Sequence, residues 1–291
     1  MLKIGVIGTP GGWSSEKLAD TVARLTGFRL LIDLQQVVFD FSQSKAMYKE
    51  TNLFELDAMI IKKVGARYSP DLLDRLESLR FLYARGIKMF SSPEKILRVL
   101  DRLSCTVTLQ INQIPMPKTV ITEDIQGAIH TVEAYGDAIF KPLYSTKAKG
   151  MIVIQNGSNV REQVEEFQKT NPIMYIQKRI DHKGKDLGIS FLNGNYLATY
   201  ARCSDGSSWN TTTRSGGKYE PYEPSAEAIA LAKRAQDLFN LDFTCVDVAE
   251  TDQGPVVFEV SAFGGFKGLE TACHIDAAEK FTEYVIREIS K

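Results

Sequence analysis

The chain has 291 residues, 44% of them hydrophobic and 24% charged, which suits a compact globular protein of two or three subdomains with a sizeable core and speaks against a disordered chain. Its 35 Lys and Arg nearly balance 36 Asp and Glu, so no field strong enough to hold nucleic acid or an anionic membrane is expected, and small-molecule partners lead. No segment is long and apolar enough to span a bilayer, and MLKIGVIGTPGG reads as a first strand and turn rather than a signal peptide, so a cytoplasmic location is expected.

The first part alternates short apolar runs with helical patterns. Strands are predicted at Ile4 to Ile7, Leu30 to Leu34 and Met59 to Ile61, with a helix from about Ser15 and another opened by Ser69-Pro70-Asp71. Strand-helix alternation implies a parallel sheet. Ser-Pro-Asp is a helix start, with Ser as cap, Pro at the first position and the acid at the positive end; Ser92-Pro93-Glu94 repeats it before ILRVLDRL. The glycine-rich GTPGGWSS at Gly8–Ser15 lacks the spacing of a P-loop or a dinucleotide fold. It is either a plain turn or, at the carboxyl end of a parallel strand, a substrate loop.

Farther on, ITEDIQGAIHTVEAYG reads as an amphipathic helix, AIFKPL as a strand carrying Lys141, YSTKAKG as a basic loop and MIVI as a strand. A helix near Val160 to Lys169, the apolar PIMYIQKRI and a hairpin turned at Asn193-Gly194-Asn195 follow. A helix from Ser225 precedes a second hairpin, TCVDVAETDQGPVVFEVSAFGG, turned at Thr251 to Gly254.

Cys105, Cys203, Cys245 and Cys273 are far apart and expected as reduced thiols, and the scattered His130, His182 and His274 give no zinc pattern, leaving His274 as a weak substrate-contact candidate. Asp247 and Glu259 are acids inside apolar strand runs, and pairing the second hairpin brings them together. Two such carboxylates either hold a hard divalent cation such as magnesium or meet a Lys or Arg, unless they lie at exposed strand positions. Lys141, in an apolar strand, either serves an anion such as phosphate or is solvated at the strand end.

The ordered set SSPEKILRVLDRL, IPMPKT, IFKPL, YIQKRI, KDLGI, TRSGG, CVDV and VFEVSAFGG resembles the ATP-grasp superfamily, specifically the RimK-like carboxylate-amine ligases, over nearly the whole chain. Within that group, EVSAFGGF and WNTTTRSGGKYEP are similar to the ATP-grasp member of the bacterial GAK system, which is paired with a HPr-kinase-like protein, and to the glutamate ligases of tetrahydromethanopterin tailoring. The resemblance implies an α/β (α+β) ATP-grasp fold of three subdomains, at 1–95, 96–175 and 176–291, with the nucleotide between the latter two. It implies that ATP phosphorylates a carboxylate and that an amine then attacks the acyl phosphate. Its cofactors would be ATP with magnesium or manganese, and its partners small-molecule carboxylate and amine substrates, with a protein acceptor and a homo-oligomer left open.

On the same resemblance, Lys141 and Lys149 fall at the phosphate loop, Met174 to Ile180 at the adenine hinge with Gln177, Lys178 and Ile180, and Asp186 at the ribose. Asp247, Glu259 and Ser261 match the metal ligands. Arg202 and Arg214 match positions facing the phosphoryl transfer or the acyl substrate, a solvated strand end being the alternative for Arg202. The chain departs from the family at Arg102, where a lysine is usual, at Ser261 for asparagine, at Lys178 for an acid and at Asn210 for an arginine. A ligase leads; a nucleotide-binding regulatory or scaffold protein, and a kinase releasing a phosphorylated product, share the same nucleotide site.

Overall fold

A computed structural model describes residues 2–206 and 208–291. The parallel sheet is formed by β1 (Ile4–Ile7), β2 (Leu31–Ile32), β6 (Ala58–Ile61) and β7 (Lys88–Phe90), in the order β2-β1-β6-β7. The strand expected over Leu30 to Leu34 shrinks to two residues because Asp33 turns the chain, its carboxylate accepting from the Gln35 amide at 3.1 Å. α1 (Trp13–Thr26) packs Leu18 and Val22 on one face of this sheet, and α2 (Asp71–Ala84) packs Leu72, Leu76 and Leu79 on the other.

Between β2 and β6 lies a small antiparallel sheet that the sequence reading missed, β3 (Val37–Asp40), β4 (Lys45–Tyr48) and β5 (Thr51–Asn52). The two Ser-Pro starts open helices without the expected hydroxyl cap. At α2 the Ser69 carbonyl accepts from Leu72, and at α3 (Pro93–Leu100) Ser92 makes no side-chain cap bond. ILRVLDRL is not one helix: Asp101 is extended and caps α4 (Arg102–Ile111), accepting from the Leu103 amide at 3.0 Å.

The middle of the chain forms an antiparallel sheet in the order β10-β9-β11-β8, from β8 (Thr119–Thr122), β9 (Asp137–Lys141), β10 (Ile152–Gln155) and β11 (Met174–Lys178). It carries α5 (Ile125–Tyr135) and α6 (Val160–Thr170). The expected helix over ITEDIQGAIHTVEAYG therefore begins late: its β-branched start pairs with β11 as β8, and Asp124 caps α5 by accepting from Gly127 at 2.5 Å.

The third large sheet, β14-β13-β12-β15-β16, is antiparallel. β12 (Lys185–Leu192) and β13 (Asn195–Cys203) form the first hairpin, turned by Asn193 at φ 49° and Gly194 at φ 73°; β14 (Lys218–Pro221) is its edge. β15 (Phe243–Thr251) and β16 (Gly254–Ser261) form the second. α7 (Ala226–Asp237) starts at a Ser225 cap as expected, and α8 (Phe266–Cys273) and α9 (Ala277–Ile289) follow β16. The expected subdomain limits fall inside elements, residue 95 in α3 and residue 175 in β11. Among the described residues no helix is long and apolar enough to cross a membrane.

Candidate active site

Asp247 on β15 and Glu259 on β16 are directly paired across the hairpin, and the register slips by one residue immediately beyond them, where Val248 meets Val257. Phe258 is the extra residue of this bulge. Without it β16 would alternate strictly; with it, both Phe258 and Glu259 line one cleft. On the same sheet, Asp186 of β12 is the register partner of Arg202 on β13, and Gly188 is the partner of Asp247. Position 188 accepts only glycine, since a Cβ there would stand 2.3 Å from the Tyr200 ring.

Arg202 ties these acids together. Its guanidinium is ion-paired with Asp186 and reaches Asp247 at 2.9 Å, while the Thr211 hydroxyl also donates to Asp186. Burial pushes the Asp247 carboxyl well above its usual range, and Arg202 opposes the shift only in part. Glu259 is paired with Arg102 of α4 at 3.0 Å, and the Arg102 Nε donates to the Pro142 carbonyl at 3.2 Å. Both acids thus meet arginines, the alternative the sequence left open.

Lys141 ends β9, on the sheet facing the carboxylates. It is buried and donates to Gln177 Oε1 at 2.5 Å, with its ammonium 5.5 Å from the Phe258 ring centre. Burial, helped by Arg102, lowers its pKa to about 7, against the pull of Glu259 and Asp247. Among the described residues it has no ion-pair partner, and an ammonium kept in such a place is a receptor for an added anion. Gln177 does not line the cleft; it holds Lys141, with its own amide donating to Thr119 at 3.1 Å.

The cleft, about 740 Å³, is lined by Arg102, Lys141, Lys178, Ile180, Asp186 and Arg202 together with Asp247, Glu259 and Ser261, so nine of the expected site residues converge. Lys149, Arg214 and His274 do not: all three are exposed and outside the cleft wall. Asp186 lines the cleft and accepts hydrogen bonds from Arg202 and from the Thr211 hydroxyl. The Gly8–Ser15 turn does line the cleft, through Thr9, Gly12, Trp13 and Ser15. Wall residues not singled out from the sequence include Lys63, Tyr68, Ser145 and Trp209; a paired lysine at the end of the apolar AMII strand was the available signal for Lys63. The four cysteines are free thiols, Cys105 and Cys245 buried.

Whether the acids suit a metal is answered by their surroundings. Among the described residues no group of three or more His, Cys, Asp or Glu is arranged to hold an ion by itself. Two facing carboxylates with the Ser261 hydroxyl two residues along fit a hard cation that takes its remaining oxygens from phosphates and water.

A model of the RimK-like ATP-grasp domain matches residues 99–285. The tetrahydromethanopterin:alpha-L-glutamate ligase of Methanosarcina acetivorans is 25% identical over 98% of this chain and 99% of its own. That of Methanocaldococcus jannaschii is 26% identical over 84% of each. Among solved structures, the ATP-grasp ligase PsnB complexed with a phosphomimetic variant of its minimal precursor, Mg and ADP superposes with a TM-score of 0.75 at 16% identity, over 99% of both chains. With the matched region covering more than half of its length, this chain belongs to the RimK-like ATP-grasp family and is a carboxylate-amine ligase of the ATP-grasp type.

Proposed function

We propose that the cleft binds ATP with its phosphates between Lys141 and the Asp247–Glu259 pair, and that a carboxylate is activated there for amide formation with an amino acid, glutamate by analogy with the named relatives. The observation that carries this reading is the meeting of one buried, anion-free lysine from the central sheet with two facing carboxylates from the C-terminal sheet. Asp247, Glu259 and Ser261 would hold magnesium, manganese being the alternative. Magnesium, when bound, neutralises phosphate charge during the transfer.

The chemistry assigned to this chain runs in two steps. A substrate carboxylate oxygen attacks the γ-phosphorus, the bond to the β,γ-bridging oxygen breaks, and ADP leaves. The amine nitrogen then attacks the acyl carbon, phosphate leaves with the bonding pair, and the nitrogen gives up a proton. Lys141 steadies the charge on the phosphoryl oxygens. Arg202 is assigned to the carboxylate end, and Arg214 would serve the same end from the rim. Lys178 and Ile180 form the adenine side, with Lys149 at the outer edge of the phosphate loop and Asp186 toward the ribose.

ADP release measured with magnesium, glutamate and a panel of carboxylates tests the reading, with hydroxylamine replacing the amine in a parallel set. A hydroxamate that requires ATP is the expected result. A stable phosphorylated product would make the protein a kinase, and nucleotide binding without ADP release under any pairing would make it a binding protein.

A further inference from the structure

The N-terminal sheet has a crevice of its own at the wall of the cleft. The chain leaves β1 for β2 with α1 on one face and leaves β6 for β7 with α2 on the other, so the winding reverses between the adjacent strands β1 and β6. At such a reversal the two connections splay apart beyond the carboxyl ends of the strands and leave room for a ligand. Here the backbone amides of Lys62 and Lys63 both donate to the Ile7 carbonyl, at 2.8 and 3.1 Å, so the two strand ends stay together. Thr9 and Trp13 line the crevice from one connection and Lys63 and Tyr68 from the other.

Lys63 is half-buried, with its ammonium 5.6 Å from the Tyr68 ring centre and 5.4 Å from that of Phe263. Among the described residues it has no carboxylate partner, and Lys147, which lines the cleft from the loop after β9, adds like charge to that of the neighbouring Lys62. The opposite wall is fixed: the buried Lys62 donates to the Phe263 carbonyl at 3.0 Å with its ammonium 3.4 Å from the Phe266 ring centre, and Gly265 turns the chain at φ 92°. Two lysines, one just after β6 and one on the loop after β9, line the same cavity and leave a place for an anion at its N-terminal wall.

We propose that Lys63, at the β1/β6 crevice, is the counter-ion for a carboxylate of the substrate that does not react, so that the ligase is built for a dicarboxylate. This rests on the ligase reading above. The probe is glutarate, titrated calorimetrically into protein saturated with ADP and magnesium, so that the nucleotide region is filled and no transfer can occur. Lys63→Ala and Lys63→Met are expected to weaken glutarate about tenfold or more while Lys63→Arg stays within about threefold of wild type, with ADP affinity and melting temperature unchanged. Undiminished glutarate binding in Lys63→Ala, no saturable glutarate binding in wild type, or a parallel loss of ADP affinity overturns the assignment. Failure of wild type to bind ADP would instead remove the ligase reading itself, so the two failures are told apart in one experiment.

Discussion

The central sheet buries its apolar side chains in a cluster of its own, built by Phe140, Ile154, Val164, Phe167 and Ile176, whereas the N-terminal and C-terminal sheets share two clusters, one holding Ile7 and Val246 and the other Ile4 and Phe281. Lys141 rides on the separately packed unit, and Asp247 and Glu259 belong to the shared body. Bonds that cross between them include those of Arg102, which reaches both Glu259 and the Pro142 carbonyl, and that of Thr106 with the Tyr175 hydroxyl at 3.0 Å. The two sides of the cleft can thus shift against each other without opening either core, since cooperative units follow packed clusters.

Variants on the body should have the largest effect. Asp247→Asn and Glu259→Gln are each expected to take ADP release to background, a loss on the order of a thousandfold or more, with the circular dichroism spectrum retained. Full activity in either variant would remove the metal assignment. On the other side of the cleft, Lys141→Met is expected to slow the reaction by about a hundredfold to a thousandfold and to weaken nucleotide binding. An unchanged ATP affinity would place the phosphates elsewhere.

Packing variants sharpen the same contrast. Phe281→Ala in the shared body should cost about 3–5 kcal/mol of global stability, read from denaturant unfolding. Phe140→Ala removes a similar area from the central cluster and should instead raise amide exchange in β9 to β11 while α9 keeps its protection. Equal loss in both regions would show one cooperative unit.

The pH response of Lys141 follows from its lowered pKa of about 7. Below that value the ammonium is charged and ready for phosphate; above it the free protein must take up a proton to bind. ATP affinity should therefore decline as pH rises from about 7 to 9, with proton uptake visible in buffers of different ionisation enthalpy. A flat profile would mean that another cation carries the phosphates. The smallest effect is expected for Arg214→Ala, a loss of a few-fold in hydroxamate yield with ATP affinity preserved, because its side chain stands outside the cleft wall.

The residues with unmistakable neighbours were legible. An acid in the middle of VVFEV or TCVDV needs a partner, and the short turn between the runs sets them opposite each other. Asn193-Gly194 announced its hairpin for the same local reason. The β3 to β5 sheet was hidden because its left-handed turn positions are Ser44 at φ 53° and Lys49 at φ 54°, not glycine or asparagine. Gln177 was placed at the hinge, but its service to Lys141 depends on the pairing of β9 with β11, a long-range fact. The arginine partners of the two acids were open for the same reason: Arg102 is 157 residues from Glu259.

The packing of α9 on the parallel sheet has a consequence for how the protein is made. Ile4, Val6, Leu18 and Val22 share a cluster with Phe281, Tyr284 and Val285. During synthesis at roughly 5–20 residues per second, those early apolar side chains wait on the order of ten to fifty seconds before their partners leave the ribosome. The central unit, whose cluster lies within 125–176, can close well before that. A nascent chain would then carry a finished middle and an unfinished beginning, a natural client for a holding chaperone, and trimming α9 would be felt first as lost yield, before any effect on the cleft.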